Sequence, residues 1–279
     1  MVLRFFILAV AFLLSCTSIE RDSVCDEKSI KYNGCVGVFS SSSSEPDLII
    51  ISSSSSESII YGNPVILDGE TYKTVVIGTQ TWMAKNLKYA APGSKCGTDR
   101  YDSKLKDENT EICNVYGRLY NWATAMDLPA SCNTNSTYCS KKITGKHKGI
   151  CPYNWHIPSN EDWNVLMKFI NSRCSDNSRC DGAGTKLKAT IGWNSYNNDV
   201  PSGSDDFGFY ALPGGSSGYS DSTFFGVGSN GEWWSSFEYG SVDFGSDYAS
   251  SRSMSNYDEA VSYSSRMKSY LASVRCVKD

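Results

Sequence analysis

Trp163, Leu166, Met167 and Ile170 stand at i, i+3, i+4 and i+7, which predicts a helix with one core-facing stripe. The residues before it mark its start. Pro158 drives Ile157 into an extended conformation. Ser159, with Asp162 three positions on, has the form of a capping box. Strand patterns lie on either side. Thr71 to Ile77 is β-branched and aromatic, Gly78-Thr79-Gln80 turns, and Thr81 to Leu87 returns, which predicts a hairpin. Tyr116 to Met126 reads as a strand running into a helix, with Trp122, Ala125 and Met126 on one face. Gly184 to Ile191 predicts a second short helix. Trp193 to Tyr270 is different. It holds 17 of the chain's 35 aromatics among glycines and serines, without helical periodicity, so short strands and long loops are expected. Ser273 to Val277 alternates as a last strand.

The first residues carry another pattern. After Arg4, Phe5 to Leu14 is an apolar run of ten. A membrane span takes about 20 residues, so this suits the core of a signal peptide instead. Leu13-Leu14-Ser15-Cys16 resembles a bacterial lipobox, which implies a signal over residues 1–16 and acylation of Cys16; an ordinary secretory signal is the alternative. Two acyl chains or more anchor stably. Residues 17–66, with serine runs at 40–44 and 52–56, read as a disordered tether, since such tracts bury too little surface to fold. Leu48 to Ile51 is apolar within it and reads equally as a docked segment or a local strand. The folded domain is expected over 67–279.

Eleven cysteines less Cys16 leave ten, an even number in an exported chain and hence a disulfide framework. Proximity suggests Cys25–Cys35, Cys96–Cys113, Cys132–Cys139 and Cys174–Cys180, leaving Cys151–Cys276 as a long bridge, although ten cysteines allow many connectivities. There is no Cys-x-x-Cys and there are only two histidines, so zinc is not expected. The formal net charge is -4 and the basic residues are scattered, which argues against a nucleic-acid partner.

Several stretches together resemble a known family. They are Thr74-Val-Val-Ile-Gly-Thr-Gln-Thr-Trp-Met-Ala-Lys-Asn-Leu87, Tyr116-Gly-Arg-Leu-Tyr-Asn-Trp122, Cys151-Pro-Tyr-Asn-Trp-His-Ile-Pro-Ser159, Gly208-Phe-Tyr-Ala-Leu-Pro-Gly-Gly215, Glu232-Trp-Trp-Ser-Ser236 and Ser273-Val-Arg-Cys-Val-Lys-Asp279. In this order they resemble the Fibrobacter succinogenes major paralogous domain, which implies an exported, often lipid-anchored protein of no established activity. Trp155 to Trp163 is also similar to the Arg-Leu-Pro-Thr-Glu-x-Glu-Trp segment of formylglycine-generating-enzyme-like domains. That likeness implies an α+β, C-type-lectin-like fold: small twisted antiparallel sheets, two main helices, and a long irregular region rich in aromatics, Gly and Ser. The chain departs from that pattern in lacking a late reactive cysteine pair and the sugar-binding Glu-Pro-Asn and Trp-Asn-Asp signatures.

Candidate chemistry is sparse. Gly214-Gly-Ser216-Ser-Gly218 matches a nucleophile elbow, but no histidine follows it and a turn is the plainer reading. His156 reads as a structural group beside the helix cap, and Glu161 with Asp162 as first-turn acids that favour the helix dipole. Asp199, Asp205 and Asp206, with Asn197 and Asn198, offer oxygen ligands of the kind calcium takes, without EF-hand spacing. Trp233 and Trp234 are neighbours on an expected strand, so one should face outward. With Tyr219, Phe224, Phe225 and Tyr239 that outward ring would form an aromatic binding face. The expectation is a non-enzymatic binding module without a cofactor, lipid-anchored at the outer membrane or cell surface. Its ligand would be a plant or bacterial polysaccharide or a surface protein. The alternatives are a carbohydrate-active or redox enzyme, or a purely structural envelope protein.

Overall fold

The computed structural model describes residues 58–97, 110–134, 139–196, 203–217, 224–239 and 247–279. The segment 1–16 with Cys16, most of the tether including Cys25 and Cys35, and the residues Tyr219 and Asp199 lie outside them. The fold mixes helices with two five-stranded sheets.

The first sheet contains β1 (Ile60–Leu67), β2 (Glu70–Ile77), β3 (Gln80–Met83), β4 (Trp155–His156) and β10 (Val277–Lys278), in the order β1-β2-β3-β10-β4. All its pairs are antiparallel. The expected hairpin is β2–β3. The expected tether boundary at residue 66 falls inside β1, which starts seven residues before it would have. Pro64 sits in a bulge between Gly62 and Val65 on this edge strand, where no ladder donor is needed.

The described residues hold four α-helices: α1 (Thr110–Tyr116), α2 (Trp122–Ala125), α3 (Asn160–Ile170) and α4 (Ala183–Leu187). In α3, Ser159 Oγ accepts the Asp162 N–H at 3.1 Å and Asp162 Oδ2 accepts the Ser159 N–H at 2.8 Å. This is the capping box expected, and Trp163, Leu166, Met167 and Ile170 are all buried. Short α1, which spans Cys113 at the end of a polar stretch, was not legible.

The second sheet contains β5 (Gly214–Ser217), β6 (Phe224–Val227), β7 (Asn230–Glu238), β8 (Tyr248–Ser255) and β9 (Ser262–Met267), in the order β6-β5-β7-β8-β9. It is not wholly antiparallel: β5 and β7 pair in parallel through Gly215 and Gly231. Four disulfides join the described residues: Cys96–Cys113, Cys132–Cys139, Cys151–Cys276 and Cys174–Cys180.

Two main apolar clusters lie on opposite sides of the strands. One gathers Tyr72, Met83, Trp122, Trp155, Trp234 and Cys276. The other gathers Val75, Trp82, Trp163, Phe209, Trp233 and Val277. Adjacent strand residues alternate faces, so Trp82/Met83, Trp233/Trp234 and Cys276/Val277 each send one side chain into each cluster.

Candidate functional site

Strand β7 leaves its regular ladder with β8 between Trp234 and Glu238. The cause is a competing set of bonds at the start of α3. The Ser236 N–H donates to the Pro158 carbonyl at 2.9 Å, and Ser235 Oγ donates to Asn160 Oδ1 at 3.0 Å. The Phe237 N–H then turns to Ser235 Oγ. The resulting irregularity leaves Phe237 45% exposed. Its ring meets Tyr239 edge-on at 5.3 Å, and Tyr239 meets Tyr263 of β9 at 6.4 Å. The Tyr239 hydroxyl donates to the Tyr263 hydroxyl. Both tyrosines are half-buried. Burial, and then the bond to Tyr263, pushes the Tyr239 phenol well above its ordinary range.

Beneath this group lies Arg252 of β8, directly across the strand pair from Tyr263. Its guanidinium carbon is 4.5 Å from the centre of the Tyr263 ring. Burial pushes the guanidinium pKa down to about 10, against the pull of Tyr263 and Tyr239. Asn164 of α3 and Asn177 hold each other, and Asn164 Oδ1 also faces Arg252 at 3.3 Å. Rings, hydroxyls and amides thus gather around the buried Arg252, with Phe237, Tyr239 and Tyr263 reaching the surface.

The opposite face of the sheet is polar inside. Glu232 Oε1 accepts from Ser251 Oγ at 2.7 Å and from Arg266 Nε at 2.8 Å. Burial pushes its carboxyl up, opposed by Arg266 and Ser251. Lys268 and Glu238 form an ion pair out of contact with water, with Lys268 5.3 Å from the Trp122 ring and Glu238 Oε2 accepting the Cys139 N–H.

The outward tryptophan is overturned. Trp233 and Trp234 are both 0% exposed. Adjacent residues do face opposite ways, but β7 is an inner strand with a core on each side. Each indole N–H has a buried partner, Asn86 Oδ1 at 2.8 Å for Trp233 and the Tyr120 carbonyl at 2.7 Å for Trp234. Gly231, on the Trp233 face, leaves room for that indole, because a Cβ there would run into its ring. Phe224 is buried against Leu119 and Leu271. Phe225 is partly exposed on the edge strand β6, and Tyr239 belongs to the surface group described above.

The remaining candidates take structural positions. His156 is buried, with Nδ1 2.7 Å from Asp279 Oδ1 and Nε2 3.2 Å from Asp162 Oδ2. Asp162 is therefore committed to the cap and the histidine, while Glu161 is exposed. Ser216 is buried within the strand β5 rather than at a turn. Asp205 Oδ1 accepts the Tyr210 N–H at 2.7 Å, and Asp206 is exposed. Among the described residues no three His, Cys, Asp or Glu side chains gather as metal ligands. Phe237, Tyr263 and Arg252 were missed. The available signal was Arg252 itself, a lone cation inside the serine-rich run Ser250 to Ser255.

Neither a curated protein nor a solved structure matches the chain. A family model does, the Fibrobacter succinogenes major domain, over residues 75–278. That span takes in both sheets apart from β1 and the start of β2, together with all four described disulfides, and the chain belongs to the Fibrobacter succinogenes major domain family.

Proposed function

We propose that this protein is a binding module that holds an extracellular glycan or protein without transforming it. It is displayed at the outer membrane or cell surface through a lipid on Cys16 and the serine-rich segment that follows. The observation that carries the reading is the surface group of Phe237, Tyr239 and Tyr263, three rings in edge contact. Rigid aromatic rings offer large contact area at small entropic cost, and they recur with Ser, Gly and Asn in binding surfaces. Disulfides are typical of exported domains, which supports display outside the cytoplasm. The early strand β3 and the late strand β10 lie side by side in one sheet. The C-type-lectin-like fold joins its termini in one sheet, and we read this fold as one of that kind.

The test is binding of the full chain to an array of extracellular polysaccharides and surface proteins. Phe237→Ala should weaken whatever binding is found by about 2 kcal/mol, as anchoring aromatics do, and leave the melting temperature nearly unchanged. No binding across the array, or normal binding by the variant, overturns the proposal.

A further inference from the structure

Lys188, Arg252, Lys268 and Arg275 are buried cations among the described residues. Three have acidic company. Lys268 pairs with Glu238. Arg275 feels the charge of Asp205. Lys188 donates to the carbonyls of Ser255 and Asp258, within reach of the charges of Asp258 and Glu259. Arg252 has no carboxylate within ion-pair distance among the described residues. It is 1% exposed, its Nε has no partner, and its other nitrogens meet only neutral oxygens: Ser251 O at 3.3 Å, Asn164 Oδ1 at 3.3 Å and Asn177 Oδ1 at 3.5 Å. A desolvated cation without a counter-charge is unfavourable, and it creates a positive potential that water screens poorly.

That potential reaches the surface through one ring. Tyr263 covers Arg252 and is itself half-exposed. Each tyrosine hydroxyl has one proton. Tyr239 gives its proton to Tyr263 Oη, so the Tyr263 proton is left for another acceptor. Chains of this kind polarise one another and strengthen the outermost donor. We infer that the Tyr263 hydroxyl, backed by Arg252, is the subsite for a sugar carboxylate, and that the ligand of this face is an acidic glycan. The carboxylate accepts the Tyr263 proton, its charge is balanced by the guanidinium beneath, and neighbouring sugar rings lie against Phe237. This rests on the binding-module reading and narrows it to one substrate class. No covalent step is involved.

The experiment measures binding of the full chain to polygalacturonate, glucuronoxylan and alginate, each against its carboxyl-reduced form, with polyglutamate as a peptide probe. At least one acidic form should bind about tenfold tighter than its reduced partner, and the difference should shrink with added salt. Tyr263→Phe removes one hydroxyl and keeps the ring over Arg252. It should bring the acidic form down to the affinity of the reduced one at an unchanged melting temperature. Arg252→Gln should do the same; if that variant fails to fold, Tyr263→Phe alone decides. Equal binding of acidic and reduced forms overturns this inference and leaves the binding module standing. Acidic preference that survives Tyr263→Phe overturns the location. Equally tight polyglutamate binding overturns the glycan class. No binding to any probe overturns the inference, and the module reading falls with it only if the wider array is also blank.

Discussion

In the first sheet, Tyr72, Val75, Ile77, Trp82 and Met83 fill both faces with apolar surface, and Cys151–Cys276 ties the segment before β4 to the one entering β10. In the second, inner strands of comparable burial carry Glu232, Glu238, Ser250, Ser251 and Arg252. Apolar side chains satisfy one another at many angles. Directional groups do not: a one-residue slip of β8 against β7 would turn Ser251 away from Glu232 and present a different face. The first sheet is thus held by area and a covalent tie, the second by bonds that exist in one register only. The surface group sits on the second, where a fixed register fixes which side chains share a face.

Opening the long bridge should have the largest effect. Cys151→Ser with Cys276→Ser releases a loop of 125 residues in sequence separation, worth about 4–5 kcal/mol in the chain-entropy model. An unfolding free energy from denaturant titration lowered by less than about 1 kcal/mol would show that apolar area alone holds the first sheet. Next comes the buried pair of the second sheet. Lys268→Met should cost about 3–5 kcal/mol by stranding Glu238, whereas Lys268→Met with Glu238→Leu should return to near the parent stability. If the double variant stays as weak as the single one, the register there depends on the charges themselves.

The smallest effect concerns Asp205, which faces buried Arg275 beside the first sheet. Burial pushes the Asp205 carboxyl up to about 6 from an ordinary 3.8, against its bond from Tyr210 and the charge of Arg275. A carboxyl raised on folding contributes stability that is fully present below the ordinary value and lost as pH rises through about 6. Asp205→Asn should flatten the melting temperature between pH 4 and 6. An unchanged slope in the variant would assign that pH dependence elsewhere.

Much of the first sheet and of α3 was legible because the signals are local. The β2–β3 hairpin has its turn residues, Ser159 and Asp162 their spacing, and three of the four described disulfides join cysteines close in sequence. The fourth, Cys151–Cys276, followed by elimination. The candidate site was only partly legible. Whether Trp233 and Trp234 face water depends on β7 having β5 on one side, β8 on the other, and a core on each face. Those neighbours are set by pairings across the chain that no local pattern encodes. Tyr263 and Arg252 meet only because β8 and β9 pair in one register.

Strand β10 lies between β3 and β4, so the first sheet has a gap until Val277 is in place. During synthesis, β1 to β3 wait for a strand made almost 200 residues later, with Trp82 and Met83 short of their final cover. At ribosomal speeds of about 5–20 residues per second the interval lasts on the order of ten seconds or more. The position of one two-residue strand therefore sets a clock: the first sheet closes only after residue 277 has been made.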